Sequence, residues 1–362
     1  ENNWFDDRFW LLKAYHEWRA PLLVNSNWWN MFLPDPCMPA ELSERVDAPA
    51  YTQEAIDLQN WDGIEYGLRR ATWITYRATL YKIALDRQTI KPDASRAGAF
   101  CMHQYSRMFG VTRIPNRPAD HNTATSISAA SRHVTVLVRD NVYELPVIDE
   151  HGEIFPLTAI EKALQDIIAD AKQAKGDGIP VMTCDDRDAW TKAREHLLSL
   201  GPQNRQSLQS IQTSLFVLAL DCNNIGAPLG AKPNVGSEPS YSSAVGINTA
   251  GAGRLGHNRW FDKAISFVVE PTGRAGLSGE HSPVDALIPS FLSETVLAAP
   301  MPPPTENFPE KLEGVSLLET SPTWHKLSWV VDDQVRASIA AAEDTAKAIT
   351  SDSDIGVLWY SE

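Results

Sequence analysis

The chain has 362 residues, of which 43% are hydrophobic and 22% charged, so it can bury a sizeable core and has length for two lobes. Its formal charge of −14 argues against a general binder of nucleic acid or anionic membrane, since each needs a basic surface. No apolar run is long enough to span a bilayer, and Cys37, Cys101, Cys184 and Cys222 lie far apart without a CxxC pair, so no transmembrane segment, zinc site or disulfide framework is signalled.

From Trp4 to Arg19, Trp4, Phe5, Leu11, Leu12 and Tyr15 fall on helical spacing and Pro21 ends the run, which predicts a first helix. Its opening, ENNWFDDRFW, lacks the basic start and apolar centre of a secretory signal. The compartment is left open, with scattered thiols suiting a reducing, intracellular one. Leu22 to Val24 is a short strand candidate, and NSNWWNMFLPDPCMP has too many prolines for regular structure and is expected to be a covering loop. From Trp61 to Arg87, an apolar face of Ile64, Leu68, Ala71, Tyr76, Leu80 and Ile83 predicts a long helix with Arg69-Arg70 on its solvated side. His103 and His121 sit in no metal-ligand spacing and read as structural.

HVTVLVRDNVYELPVIDEHGEIFPL alternates apolar and polar residues about Asp140-Asn141 and predicts a hairpin. Thr158 to Glu161 has capping-box spacing ahead of a stripe of Ile160, Leu164, Ile167 and Ala171, so a helix follows. Ile179 to Thr183 reads as a buried strand, Asp185 or Asp186 can cap a helix running through Trp190 and Leu197 to Gly201, and Leu215 to Leu220 is a further strand. Gly251, Gly253 and Gly256 match a dinucleotide fingerprint by spacing alone. Polar loop sequence precedes them where a buried strand is required, which argues against phosphate binding.

After a helix at Leu287 to Leu297 and a linker, APMPPPTENFPEKLEG, come HKLSWVV, a helix from Asp333 to Thr350 and IGVLWY, read as strand, helix and strand. The order of elements implies an α/β fold, a mixed β-sheet flanked by helices. Neither end reads as a natural terminus, so a piece of a larger chain is expected.

The stretch from Asn258 to Asp285 carries the chemistry. Lys263 to Glu270 is a strand, Pro271-Thr272-Gly273 a turn, and a second strand leads to His281, after which Pro283 blocks the ladder. Asp285 follows His281 by four residues and comes within reach if the chain coils into a helical turn. A histidine suits proton removal near neutral pH, and a carboxylate can fix its tautomer; a structural His–carboxylate pair has the same spacing.

NRWFDK followed by EHSPVD resembles the choline/carnitine acyltransferase family. WLLKAY with YHEWRAP, CMHQYSRMFGVTRIP and SIQTSLFVLALD match upstream in the same order, so the resemblance covers nearly the whole chain. It implies one lobe of a two-lobe HxxxD acyltransferase fold at residues 1–315, and the beginning of a C-terminal lobe at 316–362 whose remainder is missing. It further implies an O-acyltransferase with no bound cofactor that takes coenzyme A or an acyl carrier as its thioester co-substrate. His281 would be the general base on the acceptor hydroxyl, Asp285 would orient it or support its loop through a basic partner, and Trp10 and Tyr15 would line the carnitine pocket.

The sequence departs from the family pattern in two places: Ala286 stands where a glycine is usual, and the proline-rich opening is absent. They leave room for a second reading, a carnitine-acyltransferase-like off-loading module of a fungal reducing polyketide synthase whose acceptor is a polyol. A third is an inactive binding or scaffold lobe, against which the intact His281 and Asp285 speak.

Overall fold

A computed structural model describes residues 8–43, 45–61, 63–123, 131–226, 241–309, 321–353 and 355–357. Seven strands build one sheet: β1 (Trp28–Met31), β2 (His133–Val138), β3 (Asn141–Pro146), β4 (Val217–Leu220), β5 (Ser266–Val269), β6 (Ala275–Gly279) and β7 (His325–Leu327), in the order β1-β6-β5-β4-β2-β3-β7. The central pairs β2–β4 and β4–β5 are parallel and the others antiparallel, so the sheet is mixed, as expected.

The central strands are apolar on both sides because each side faces a core. Val136, Val138, Leu218, Leu220, Phe267 and Val269 enter one cluster, while Leu137, Val217, Ala219 and Val268 enter the other. The first cluster is closed by helices α1 (Ile64–Asp86), α2 (Leu157–Gln173) and α6 (Leu287–Ala298). The second is closed by α3 (Arg187–Ser199), α4 (Pro202–Thr213) and α7 (Asp333–Asp352), with α5 (Tyr241–Thr249) packed over β1 and β6. The predicted stripe of α2 is fully buried at Ile160, Leu164, Ile167 and Ala171.

Several local expectations change. Leu22 and Leu23 are fully buried, but in a turn with Val24 at φ 64°: the apolar run signalled burial, not a strand. The aromatic stretch expected to be a loop contains β1, whose Trp28–Met31 pair with β6 before the first proline interrupts. Ile179–Cys184 is a 3-10 helix rather than a strand, started by Gly178 at φ 81° and Pro180. Pro156, not Thr158, occupies the N-cap of α2, whereas Asp186 caps α3 through its carboxylate. The helices α4 and α5 escaped the sequence reading because one is mostly polar and the other sits in a small-residue stretch.

Of the pair expected on the solvated side, Arg70 is withdrawn from solvent and Arg69 stays partly exposed. Arg70 is buried and donates to the Leu33 carbonyl; Arg69 donates to the carbonyls of Pro302 and Glu306 and lies 3.9 Å over the Phe308 ring, fixing the first part of the expected linker to α1. Trp4 and Phe5 lie outside the described residues, and of IGVLWY only residues 355–357 are described, without strand structure. Gly251 abuts the Phe261 ring, where a Cβ would come within 2.7 Å, so the glycine-rich segment serves packing.

From the segment at 316–362, β7 pairs with β3 and α7 packs on the same lobe. His257 ties α7 down: its Nδ1 is 2.8 Å from Asp140 and its Nε2 3.3 Å from Glu343. Burial opposes its charge, but Asp140 overrides it and the imidazole is pushed up to about 9.

Candidate active site

The hairpin β5–β6 delivers the site. Gly279 ends β6 where a Cβ would meet the Ala264 carbonyl at 2.0 Å and the Trp28 ring at 2.6 Å, so only a glycine lets the strand pass. Glu280 follows, fully buried, with Oε1 2.8 Å from Arg113 Nη1 and Oε2 accepting the Ser282 N–H at 2.9 Å and the Ser282 hydroxyl. Val284 is buried in the first core. His281 is thereby held between anchored neighbours, and its side chain keeps 34% of its surface open to solvent.

The one-turn coil after His281 brings Asp285 Oδ1 to 3.3 Å from His281 Nε2, within ion-pair range. The Asp285 partner on its other side is Gln104, from the 3-10 turn His103–Arg107. Gln104 Nε2 donates to Asp285 Oδ2 at 3.1 Å, and Gln104 Oε1 accepts the Asp285 backbone N–H at 2.9 Å. Tyr15 stands over the histidine with ring centroids 5.1 Å apart at 56°, and Trp10, 53% exposed, lines the same shallow pocket with Leu11, Arg107 and Pro283. All four residues singled out in the sequence, Trp10, Tyr15, His281 and Asp285, therefore meet on one wall.

Behind this wall runs a dry ionic scaffold. Arg113, fully buried, donates to Asp120 at 2.7 Å, to Glu280, and to the carbonyls of Tyr15 and Trp18 at 2.8 and 3.1 Å. One guanidinium thus ties the segment bearing Trp10 and Tyr15 to the strand end bearing His281. Asp120 also meets Arg187 and Arg19 at 2.7 Å each, and Arg187 passes on to Asp262 at 2.6 Å, which accepts Trp190 Nε1 at 2.7 Å. Burial alone would raise the Asp120 and Glu280 carboxyls, but Arg187 and Arg113 beside Asp120, and Arg113 beside Glu280, hold both below the usual range.

The residues of NRWFDK belong to this scaffold and its neighbour. Asn258 donates to the Leu220 carbonyl and to Asp221, Arg259 pairs with Asp221, and Lys263, 1% exposed, donates to Thr112 Oγ1 and the carbonyls of Ile211 and Gln212. Burial pushes the Lys263 ammonium well down. These residues fix the hairpin rather than reach the pocket.

Sequence reasoning left Glu280, Arg113, Asp120, Arg187 and Gln104 without roles. Glu280 lay inside the EHSPVD motif, and Gln104 and Arg113 inside CMHQYSRMFGVTRIP, so the signal was a matched stretch with no chemistry assigned to it. His103 and His121 are exposed, and neither lines this pocket. Among the described residues no group of three or more His, Cys, Asp or Glu could hold a metal ion. Also among them, no helix is long and apolar enough to cross a membrane. A larger cleft of about 520 Å³ lies on the other side of the 3-10 turn, lined by Leu85, Ile90, Met102, Tyr105 and Phe109, with neither histidine nor cysteine.

A family model described as Choline/Carnitine O-acyltransferase matches residues 1–362. Human carnitine O-acetyltransferase is 27% identical over 366 residues, covering 99% of this chain and 51% of the human protein. Mouse choline O-acetyltransferase is 27% identical over 327 residues, with 86% and 48% covered, and the muscle isoform of human carnitine O-palmitoyltransferase 1 is 27% identical over 369, with 98% and 41% covered. The chain spans about half the length of the curated relatives it matches.

Proposed function

Because the chain belongs to the choline/carnitine O-acyltransferase family, we propose that it is the base-bearing lobe of an O-acyltransferase that moves an acyl group between a thioester and a hydroxyl acceptor. The observation that carries this reading is His281, partly solvent-open, paired with Asp285 and set on a rigid strand end. His281 takes the proton of the acceptor hydroxyl as that oxygen attacks the acyl thioester, and returns it to the departing thiolate. No acyl-enzyme is required. Asp285, facing Nε2, orients the ring and leaves Nδ1 as the basic nitrogen. The thioester is that of coenzyme A or of an acyl carrier.

The acceptor is carnitine in this reading. The relatives are named for carnitine or choline, alcohols that both carry a quaternary ammonium group. The exposed Trp10 face and the Tyr15 ring beside His281 offer the aromatic surface such a cation prefers. A polyol carries no cation and would gain no cation–π attraction from that surface.

His281→Ala in the full-length protein tests the proposal. Acyl transfer from acetyl-coenzyme A to carnitine should drop by roughly two to four orders of magnitude, the usual worth of a positioned base, with an unchanged melting temperature. A folded variant within a few-fold of wild type would sink it, and a preference for glycerol over carnitine as acceptor would sink the choice of acceptor.

A further inference from the structure

We propose that Gln104 is a positioning residue for the acyl-transfer reaction, acting on His281 through Asp285; the inference rests on the reading of His281 as the base. Asp285 has a half-exposed side chain at the start of a turn, and a carboxylate so placed is free to rotate into water. Its orientation is instead set from another part of the fold. Gln104 grips the residue at two points, the Asp285 Oδ2 at 3.1 Å and the Asp285 backbone N–H at 2.9 Å, from a 3-10 turn 181 positions away in the chain.

The two bonds fix the amide as well. Only the oxygen of Gln104 can accept the backbone N–H, and only its nitrogen can donate to a carboxylate, so a flipped amide loses both contacts. With Oδ2 engaged, the other oxygen, Oδ1, is the one presented to His281 Nε2 at 3.3 Å. A hydrogen bond to a charged acceptor is stronger than a neutral one, which suits the amide to hold an exposed carboxylate in one rotamer. Gln104 itself lines the pocket with Arg107, and the 3-10 turn is seated by its own last residue, buried Arg107, and by buried Met108 immediately after it. The chain of command is thus turn, Gln104, Asp285, His281.

The test uses the full-length protein with acetyl-coenzyme A and carnitine, and compares Gln104→Met, Gln104→Glu, Asp285→Ala, the Gln104→Met/Asp285→Ala double variant and His281→Ala. Gln104→Met keeps the length and loses both hydrogen bonds; Gln104→Glu keeps the acceptor and sets a second carboxylate against Asp285. Both should lower kcat by about tenfold with the KM for the thioester within about twofold, as expected when a catalytic group is mispositioned rather than a substrate contact removed. In the Asp285→Ala background, Gln104→Met should have no further effect, because its route to His281 is already cut. A wild-type kcat in both Gln104 variants overturns the inference, as does a tenfold loss that multiplies onto that of Asp285→Ala. His281→Ala separates the two failures: inactive His281→Ala with active Gln104 variants defeats the positioning role alone, whereas active His281→Ala defeats the base and this inference with it.

Discussion

Glu280 is fully buried between Arg113 and Ser282, while His281, one residue later, keeps a third of its side chain in water and faces a carboxylate that is itself exposed. The same strand end therefore carries two ionic environments. The inner one is dry, and its charges are fixed because any unpaired member would be left in a low-dielectric interior. The outer one is wet, with His281 and Asp285 3.3 Å apart and both side chains open to solvent. Burial and exposure are thus divided between adjacent residues: the Glu280 carboxylate is committed to the fold, and the His281 ring faces solvent, as the proposed base must.

The division predicts which changes cost stability and which cost rate. Arg113→Met should have the largest effect, about 3–5 kcal/mol of destabilisation in urea titration, because Asp120 and Glu280 lose a shared buried partner. A loss below about 1 kcal/mol would mean that Arg19 and Arg187 suffice for the scaffold and that the inner environment is not cooperative.

The clamp on α7 is the second probe of the inner kind. His257 is pushed up to about 9 in the folded protein, against about 6.5 unfolded, so its contribution is complete below pH about 6.5 and is lost as pH rises towards 9. The sign is that of a raised histidine. Lys175, 4.0 Å from Asp140, works against the charge but does not reverse it. Stability should fall by about 3 kcal/mol between pH 6.5 and 9, and His257→Gln should flatten that slope; a slope unchanged by the substitution would remove the clamp from the account.

On the outer side the expected losses are in rate. Asp285→Asn should reduce kcat by about ten- to a hundredfold with an unchanged melting temperature, as the proposed role of orienting His281 from an exposed side chain requires. If it unfolds the protein instead, Asp285 supports the loop, and the line between the two environments falls after residue 285. Trp10→Ala should be the mildest: the KM for carnitine rises by a few-fold, up to about thirtyfold, corresponding to the 0.5–2 kcal/mol of a cation against an aromatic face, and stability is unmoved. An equal rise in the thioester KM would place the ring against the other substrate.

Much of this was legible in the chain itself. Alternation located β2 and β3, an Ile/Phe/Val-rich run with a Pro-Thr-Gly turn located β5 and β6, a 3.6-residue stripe located α1 and α2, and the order NRWFDK then EHSPVD pointed to His281 and Asp285. These are short-range patterns, written by residues that share a strand face or a helical turn. What the tertiary structure decided is of longer range. That Trp28–Met31 becomes a strand depends on β6 lying open beside it, and the burial of Arg70 and the anchoring of Arg69 depend on Leu33, Pro302 and Glu306 arriving from elsewhere. The meeting of Arg113 with Glu280 spans 167 positions and that of Gln104 with Asp285 spans 181, so neither carries a periodicity that a window of sequence could hold. An isolated arginine or glutamine in a sequence reads as a solvated side chain, and only the packing that removes water from around it turns it into a partner.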